Sequence, residues 1–392
     1  MDNKKIRVAI THGDTNGIGY ELIFKAFEEP EMLDMCTPII YGSPKIATYH
    51  AKALSINSNF TIISSADDAQ DGKVNLLPVF DEEVKVEFGV PSQEASRTAV
   101  KALDRAITDY KDGLFDVLVT CPINKDNMHI DGFAFPNSDK FIEQCISEGQ
   151  KALDIMVNGD LRVALMTDEV ALKDVASAIT LEAVACRIRT FAETLRRDFR
   201  ISSPRIAVLA LNPNHSAAHP GKEEAEAIIP AIKQAAEEDI CVFGPYRADE
   251  FFGNGDFAAF DGILAMYHDQ GIAPFNALLP QDSIHYLGGL PLVCAASCQG
   301  TEYAIAGKGK ADATAFRHAI WQAIDAFRDR INYDEPMAHP LPKLYHERKD
   351  ESEKVRFAIP KKREAGAKEQ HKYMMGATQV ALHQVFTNIL SE

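Results

Sequence analysis

Short apolar runs bounded by glycine, proline or polar clusters recur along the chain, and between them lie stretches with apolar residues three and four apart. Residues 6–10, 38–42, 74–79, 114–119, 161–166, 205–211, 241–243 and 263–266 have the length and the boundaries of strands. Residues 96–110 put Val100, Leu103, Ala106, Ile107 and Tyr110 on one helical face, and 181–197 read as a second long helix. Residues 223–238 carry Ala225, Ile228, Ile229, Ile232 and Ala235 on one face, with Pro230 expected to kink or split that helix. Phe316, Ile320, Ala323, Ile324 and Phe327 mark another. Strands alternating with helices predict an α/β fold with a largely parallel sheet. At the far end, Leu382, Val385, Phe386, Ile389 and Leu390 form an amphipathic stripe behind the charged stretch 346–370. This pattern predicts a polar linker and a terminal helix that docks on the main body or on a partner subunit.

Polar clusters punctuate the ends of several predicted strands. The run at 263–266 stops in Tyr267-His268-Asp269-Gln270-Gly271, that at 114–119 in Thr120-Cys121-Pro122-Ile123-Asn124-Lys125, and that at 161–166 in Thr167-Asp168-Glu169. The run at 205–211 ends in Asn212-Pro213-Asn214-His215, with His219 beyond. In open α/β sheets ligands sit outside the carboxyl ends of the strands, so these clusters are expected to converge. An imidazole beside a carboxylate can hold a divalent metal or move a proton. Lys125 can meet a phosphate or carboxylate, although a solvated lysine is the commoner role. The loop Thr11-His12-Gly13-Asp14-Thr15-Asn16-Gly17-Ile18-Gly19 follows the first strand and can either present backbone N–H groups to an anion or pack a helix onto a strand. Its spacing is not the G-x-G-x-x-G of a dinucleotide fingerprint.

Composition narrows the partners. The chain has 392 residues, 41 basic against 57 acidic, a formal charge of −16. That balance argues against general nucleic-acid or anionic-membrane binding, both of which need basic surface. Seven scattered cysteines without a C-x-x-C pair read as free thiols in a reducing cytoplasm. No signal peptide precedes the first strand, and no apolar stretch approaches a membrane span.

Four segments in this order, Thr11-x-Gly13-Asp14-x-x-Gly17-Ile18-Gly19, Thr120-x-Pro122-Ile123-Asn124-Lys125, Tyr267-His268-Asp269-Gln270-Gly271 and Gly309-Lys310-Ala311-Asp312, resemble the 4-hydroxythreonine-4-phosphate dehydrogenase (PdxA) family of pyridoxal phosphate, or pyridoxine, biosynthesis. The resemblance covers roughly residues 5–330. It implies two α/β/α domains with a cleft between them, of the isocitrate and isopropylmalate dehydrogenase kind. The expected division is an outer domain of 1–135 plus 303–345, an inner domain of 136–302 that carries the metal-site motifs and the dimer contact, and the tail 346–392. It further implies a homodimer, a divalent metal (magnesium, manganese, zinc or cobalt), and NAD or NADP as hydride acceptor, with the oxidised hydroxy acid losing carbon dioxide.

By the same resemblance, Glu169, His215 and His268 are the metal ligands, and Lys125, Asp249 and Asp269 the catalytic residues. Ser138, Asp139, Asn276, His285 and Cys294 fall at the substrate positions. The chain departs from the family there. Pro136-Asn137-Ser138-Asp139-Lys140-Phe141 stands for Pro-Gly-His-Thr-Glu-Phe, and Asn276 and Cys294 stand where the family has a lysine and an arginine. Two fixed positive charges that would hold a phosphate are gone. The expected activity is therefore metal- and NAD(P)-dependent oxidation of a small hydroxy acid, possibly phosphorylated, other than the parent substrate. The alternative is a non-catalytic homologue that binds a metabolite or partner.

Overall fold

The computed structural model describes residues 5–56, 59–127, 135–147, 149–168, 170–214, 219–279 and 281–338. Among them twelve strands form one sheet: β1 Ile6–Thr11, β2 Cys36–Gly42, β3 Phe60–Ile62, β4 Val74–Pro78, β5 Val117–Thr120, β6 Leu153–Asn158, β7 Leu161–Leu165, β8 Ile206–Leu209, β9 Val242–Tyr246, β10 Gly262–Ala265, β11 Ile284–Gly288 and β12 Val293–Ser297. Their order across the sheet is β3-β4-β2-β1-β5-β12-β11-β6-β7-β10-β8-β9. The expected largely parallel α/β architecture is present. β2, β5, β8 and β10 are buried along their whole length, as parallel strands covered on both faces must be.

The centre of the sheet departs from that rule. β11 runs antiparallel to both β12 and β6, and β6 antiparallel to β7. The block β3-β4-β2-β1-β5-β12 and the block β7-β10-β8-β9 are each parallel inside but run in opposite senses. The sequence expectation that all polar strand ends share one edge therefore fails between the two blocks. Residues from β5 and from β10 meet only because antiparallel β6 and β11 lie between them and carry polar side chains on one sheet face. β6 shows this directly: Leu153, Ile155 and Val157 are buried, while Asp154, Met156 and Asn158 are half-buried on the other face.

Helices form where apolar positions repeat and caps are available. In helix Gln93–Lys111 the Ser92 side chain accepts the Ala95 N–H (3.1 Å), and Ala95, Ala99, Ala102, Leu103 and Ala106 line its buried stripe. Val100 and Tyr110, expected on that stripe, are only half-buried at its margins. The expected break at Pro230 is present. A π-helical turn, Glu224–Ile228, gives way to helix Ile229–Glu237, which carries the proline in its first turn, where a missing N–H costs nothing. The terminal helix expected at 382–390 lies outside the described residues.

The glycine loop after β1 is packing, not an anion cradle. Residues 11–20 are all buried. The N–H groups of His12, Asp14, Asn16, Gly17 and Ile18 donate to Tyr41 O, Pro122 O, Asp14 Oδ1, Asp14 O and Thr301 O. Those donors are satisfied inside the protein. Gly13 has φ +72°, and a Cβ there would lie 2.4 Å from Pro122 O. Gly13→Ala should cost at least about 1–3 kcal/mol by backbone strain alone. An unchanged urea midpoint would contradict that placement.

Candidate active site

The residues that converge do so on the sheet face described above. A cavity of about 500 Å³ is lined by Lys125 and Thr120 after and on β5, Ser138, Asp139 and Lys140 of one helix, Asp154 and Met156 of β6, His285 of β11, and His268 and Asn276 of another helix. Register explains the convergence: His285 pairs with Met156 on one side and with Ala296 on the other, so these side chains share a face.

Two helix starts aim residues at the cavity. Helix Ser138–Ile146 is capped by Asn137, whose side chain accepts the Lys140 N–H (2.9 Å), and its first turn presents Ser138 and Asp139. Helix His268–Leu278 begins directly after β10. There Gln270 acts as a clamp, its Oε1 accepting the Met266 N–H (2.7 Å) and its Nε2 donating to Ala210 O (2.6 Å). Thr167 Oγ1 donates to Met266 O (2.7 Å), which ties the end of β7 to the end of β10 and brings Asp168 to the same cavity. Gly271 lets this helix sit close, since a Cβ would fall 2.8 Å from Ala265 Cβ.

The polar floor is an imidazole between carboxylates. His285 Nε2 lies 3.2 Å from Asp154 Oδ1, and ligand atoms of Asp139, Asp154 and His285 all fall within 4.8 Å of one another. Burial alone would lower the His285 pKa. The Asp154 hydrogen bond and the field of Asp139 outweigh it and push the imidazole up to about 8. Burial raises the Asp139 carboxyl, partly offset by His285. Burial also works against the Asp154 carboxylate, but its hydrogen bond to His285 and the charge there hold it below the ordinary value. Lys140 Nζ pairs with Asp168 (2.8 Å) and Glu143 (3.2 Å), and Glu143 also accepts the Ala152 N–H (3.1 Å). Among the described residues the cavity thus sets four carboxylates, Asp139, Glu143, Asp154 and Asp168, against three basic groups, Lys125, Lys140 and His285.

Of the residues expected from sequence, Lys125, Ser138, Asp139, His268, Asn276 and His285 line this cavity. Asp269 is beside it rather than in it, exposed and holding His268 Nδ1 (2.8 Å). Asp249 is exposed on helix Ala248–Gly253, paired with Arg247 (3.1 Å), and is not among the cavity's described lining residues. Cys294 is 2% exposed within β12, its thiol pushed up by burial, and packs in the core. Glu169 and His215 lie outside the described residues. Sequence reasoning missed Asp154, Lys140 and Glu143. Asp154 had a signal: Leu153-Asp154-Ile155-Met156-Val157-Asn158 alternates as a strand with one polar face.

The fold and this site define an α/β enzyme subunit with a polar pocket on its sheet face. Residues 34–323 match the family model described as pyridoxal phosphate biosynthetic protein PdxA. A 4-hydroxythreonine-4-phosphate dehydrogenase of Bacteroides thetaiotaomicron is 47% identical over 358 residues, covering 91% of this chain and 98% of the relative. One from a Sulfurihydrogenibium strain is 33% identical over 320 residues, covering 81% and 98%. The crystal structure of a 4-hydroxythreonine-4-phosphate dehydrogenase from Burkholderia phymatum superposes with a TM-score of 0.68 at 27% identity, covering 83% of this chain and 99% of that one. The chain belongs to the 4-hydroxythreonine-4-phosphate dehydrogenase (PdxA) family, the NAD(P)-dependent oxidoreductases of pyridoxine biosynthesis. Among the described residues no helix is long and apolar enough to cross a membrane.

Proposed function

We propose that the protein is a metal- and NAD(P)-dependent dehydrogenase that oxidises a small hydroxy acid, with decarboxylation of the product, as a cytoplasmic homodimer. We propose further that its best substrate is not phosphorylated. The observation that carries this reading is the charge of the cavity. Among the described lining residues Asp139, Glu143, Asp154 and Asp168 outnumber Lys125, Lys140 and the imidazole of His285, which suits a monoanionic hydroxy acid better than a phosphate dianion.

The family's metal fits His268 on the chemistry of the donor. Asp269 holds its Nδ1, which leaves Nε2 as a ligand in the arrangement that metal-binding histidines use. Glu169 and His215 are proposed to complete that set. A divalent ion bound there would polarise the oxygen of the reacting carbon as a Lewis acid. The rest falls to the chain. Lys125 Nζ holds and moves the proton of the substrate hydroxyl, with Asp249 and Asp269 proposed to assist. Ser138, Asn276 and His285 orient the hydroxy acid as donors and Asp139 accepts from its hydroxyl, with Cys294 behind them as packing.

One observation favours the non-catalytic alternative. Lys140 already neutralises Asp168, the neighbour of the candidate ligand Glu169. A screen decides between the two: NADH and NADPH formation with manganese, magnesium or cobalt restored, across hydroxy acids with and without phosphate. A non-phosphorylated acid should exceed 4-hydroxythreonine 4-phosphate in kcat/KM by at least about tenfold. If the phosphorylated acid is turned over best, the substrate assignment falls. If nothing is oxidised with metal present, the metabolite-binding reading replaces the enzymatic one.

A further inference from the structure

We propose that Asp139, Asp154 and His285 form a divalent-cation site of their own on the floor of the cavity, separate from the donor set proposed around His268. Three features of the structure support it together. The donors come from three different elements, the first turn of helix Ser138–Ile146, β6 and β11, so the cluster is a product of tertiary structure and not of one acidic stretch. Their ligand atoms all lie within 4.8 Å of one another, close enough for one ion to reach one atom from each after small side-chain adjustments. The site opens on a cavity of about 500 Å³, which gives an ion and its remaining ligands access.

The chemistry of the donors selects the ion. Two carboxylates and an imidazole are hard to borderline ligands, which suit manganese, cobalt or zinc better than a soft ion, and the set is poorer in oxygen than calcium takes. In the free protein the His285 imidazole, hydrogen-bonded to Asp154, offsets the two carboxylates, and a bound ion would take the place of its proton. Lys125 contributes charge nearby, acting through space on Asp139 and His285, but an ion bonded to both carboxylates would neutralise them more completely. Among the described residues three protein donors come together here. A six-coordinate ion would keep positions for water or for a carboxylate or hydroxyl oxygen of a bound acid. The ligand class of the site is therefore a divalent metal ion that bridges to an oxygen-bearing small molecule. The inference does not depend on the dehydrogenase reading, because it is tested by binding alone.

The experiment is Mn²⁺ titration of the full chain followed by electron paramagnetic resonance, repeated with Zn²⁺ by calorimetry. His268→Ala removes a ligand of the other proposed site and should leave one Mn²⁺ bound. In that background Asp154→Asn should weaken Mn²⁺ at least about tenfold, and Asp139→Asn should do so independently. Asp139 is at a helix start and half-buried, so its variant keeps the test alive if Asp154→Asn fails to fold. No Mn²⁺ or Zn²⁺ bound to His268→Ala at millimolar concentration would overturn the site. So would affinity unchanged in a folded Asp139→Asn variant.

Discussion

Replacing Lys125 with methionine is expected to lower kcat for the accepted hydroxy acid by about a hundred- to ten-thousandfold, the range for loss of a positioned proton-transfer group. The structure gives Lys125 a place that Lys140 does not have. Both line the cavity, but Lys140 is engaged by Asp168 at 2.8 Å and Glu143 at 3.2 Å, and its ammonium form is favoured: burial opposes the charge, and the Asp168 ion pair outweighs burial. Lys125 opens the 3-10 turn Lys125–Asn127 in the loop that follows β5, with its charge felt at both Asp139 and His285. Lys125→Arg should not restore activity, because a guanidinium keeps its charge and does not release a proton near neutrality. Lys140→Met should act chiefly on KM or stability. Rapid-mixing measurement of NADH formation separates these effects. If Lys125→Met keeps kcat within about tenfold of the parent, the proton-transfer role is lost.

What the sequence showed of this site follows from where its signals were local. His268 and Lys125 stand directly behind short apolar runs, and a buried parallel strand announces its own end. Both came out at the cavity. Asp139 and His285 were reached through the order of motifs along the chain, and Asp154 was not reached at all. The reason is physical. β6 and β11 each pair with the next strand in sequence, β7 and β12, but with one another across more than a hundred residues, and the half-polar face of β6 dilutes its apolar pattern. Asp154 acquires its role only when β11 pairs with β6 and places His285 beside it. No window along the chain contains that information.

The direction of the sheet was legible only in part. Alternating strands and helices predict parallel pairing, and ten of the twelve strands fall in the two parallel blocks. The reversal combines two local hairpins, β6–β7 and β11–β12, with one long-range antiparallel pairing, β11–β6. It moves the site from a shared strand edge to the face of the sheet. The glycine loop misled in the opposite way. Its composition permits anion binding, but the backbone donors are taken by Tyr41, Pro122 and Thr301 once β1, β2 and β5 are side by side.

Asp198→Asn is expected to destabilise the protein by about 3–5 kcal/mol, the cost of leaving one member of a buried ion pair without its partner. Asp198 closes helix Leu181–Arg197, and Arg330 reaches it from helix Thr314–Ala338. Their side chains are 2% and 6% exposed. The contact is bidentate, Arg330 Nε to Asp198 Oδ1 at 2.6 Å and Nη2 to Oδ2 at 2.8 Å. Tyr286 of β11 donates to the same carboxylate at 2.8 Å, and Arg330 Nη1 donates to Pro291 O at 2.6 Å. The cluster therefore fastens two helices to the antiparallel centre of the sheet, one residue along β11 from His285. In Asp198→Asn the guanidinium, 6% exposed, keeps its charge but faces a neutral amide. Arg330→Met should cost a similar amount, because it strands the carboxylate instead. The double variant should cost clearly less than the sum, since neither charge is then left alone. Urea unfolding of the three variants measures this cycle. Additive losses, or a single-variant loss below about 1 kcal/mol, would show that the pair does not hold the centre of the sheet in place.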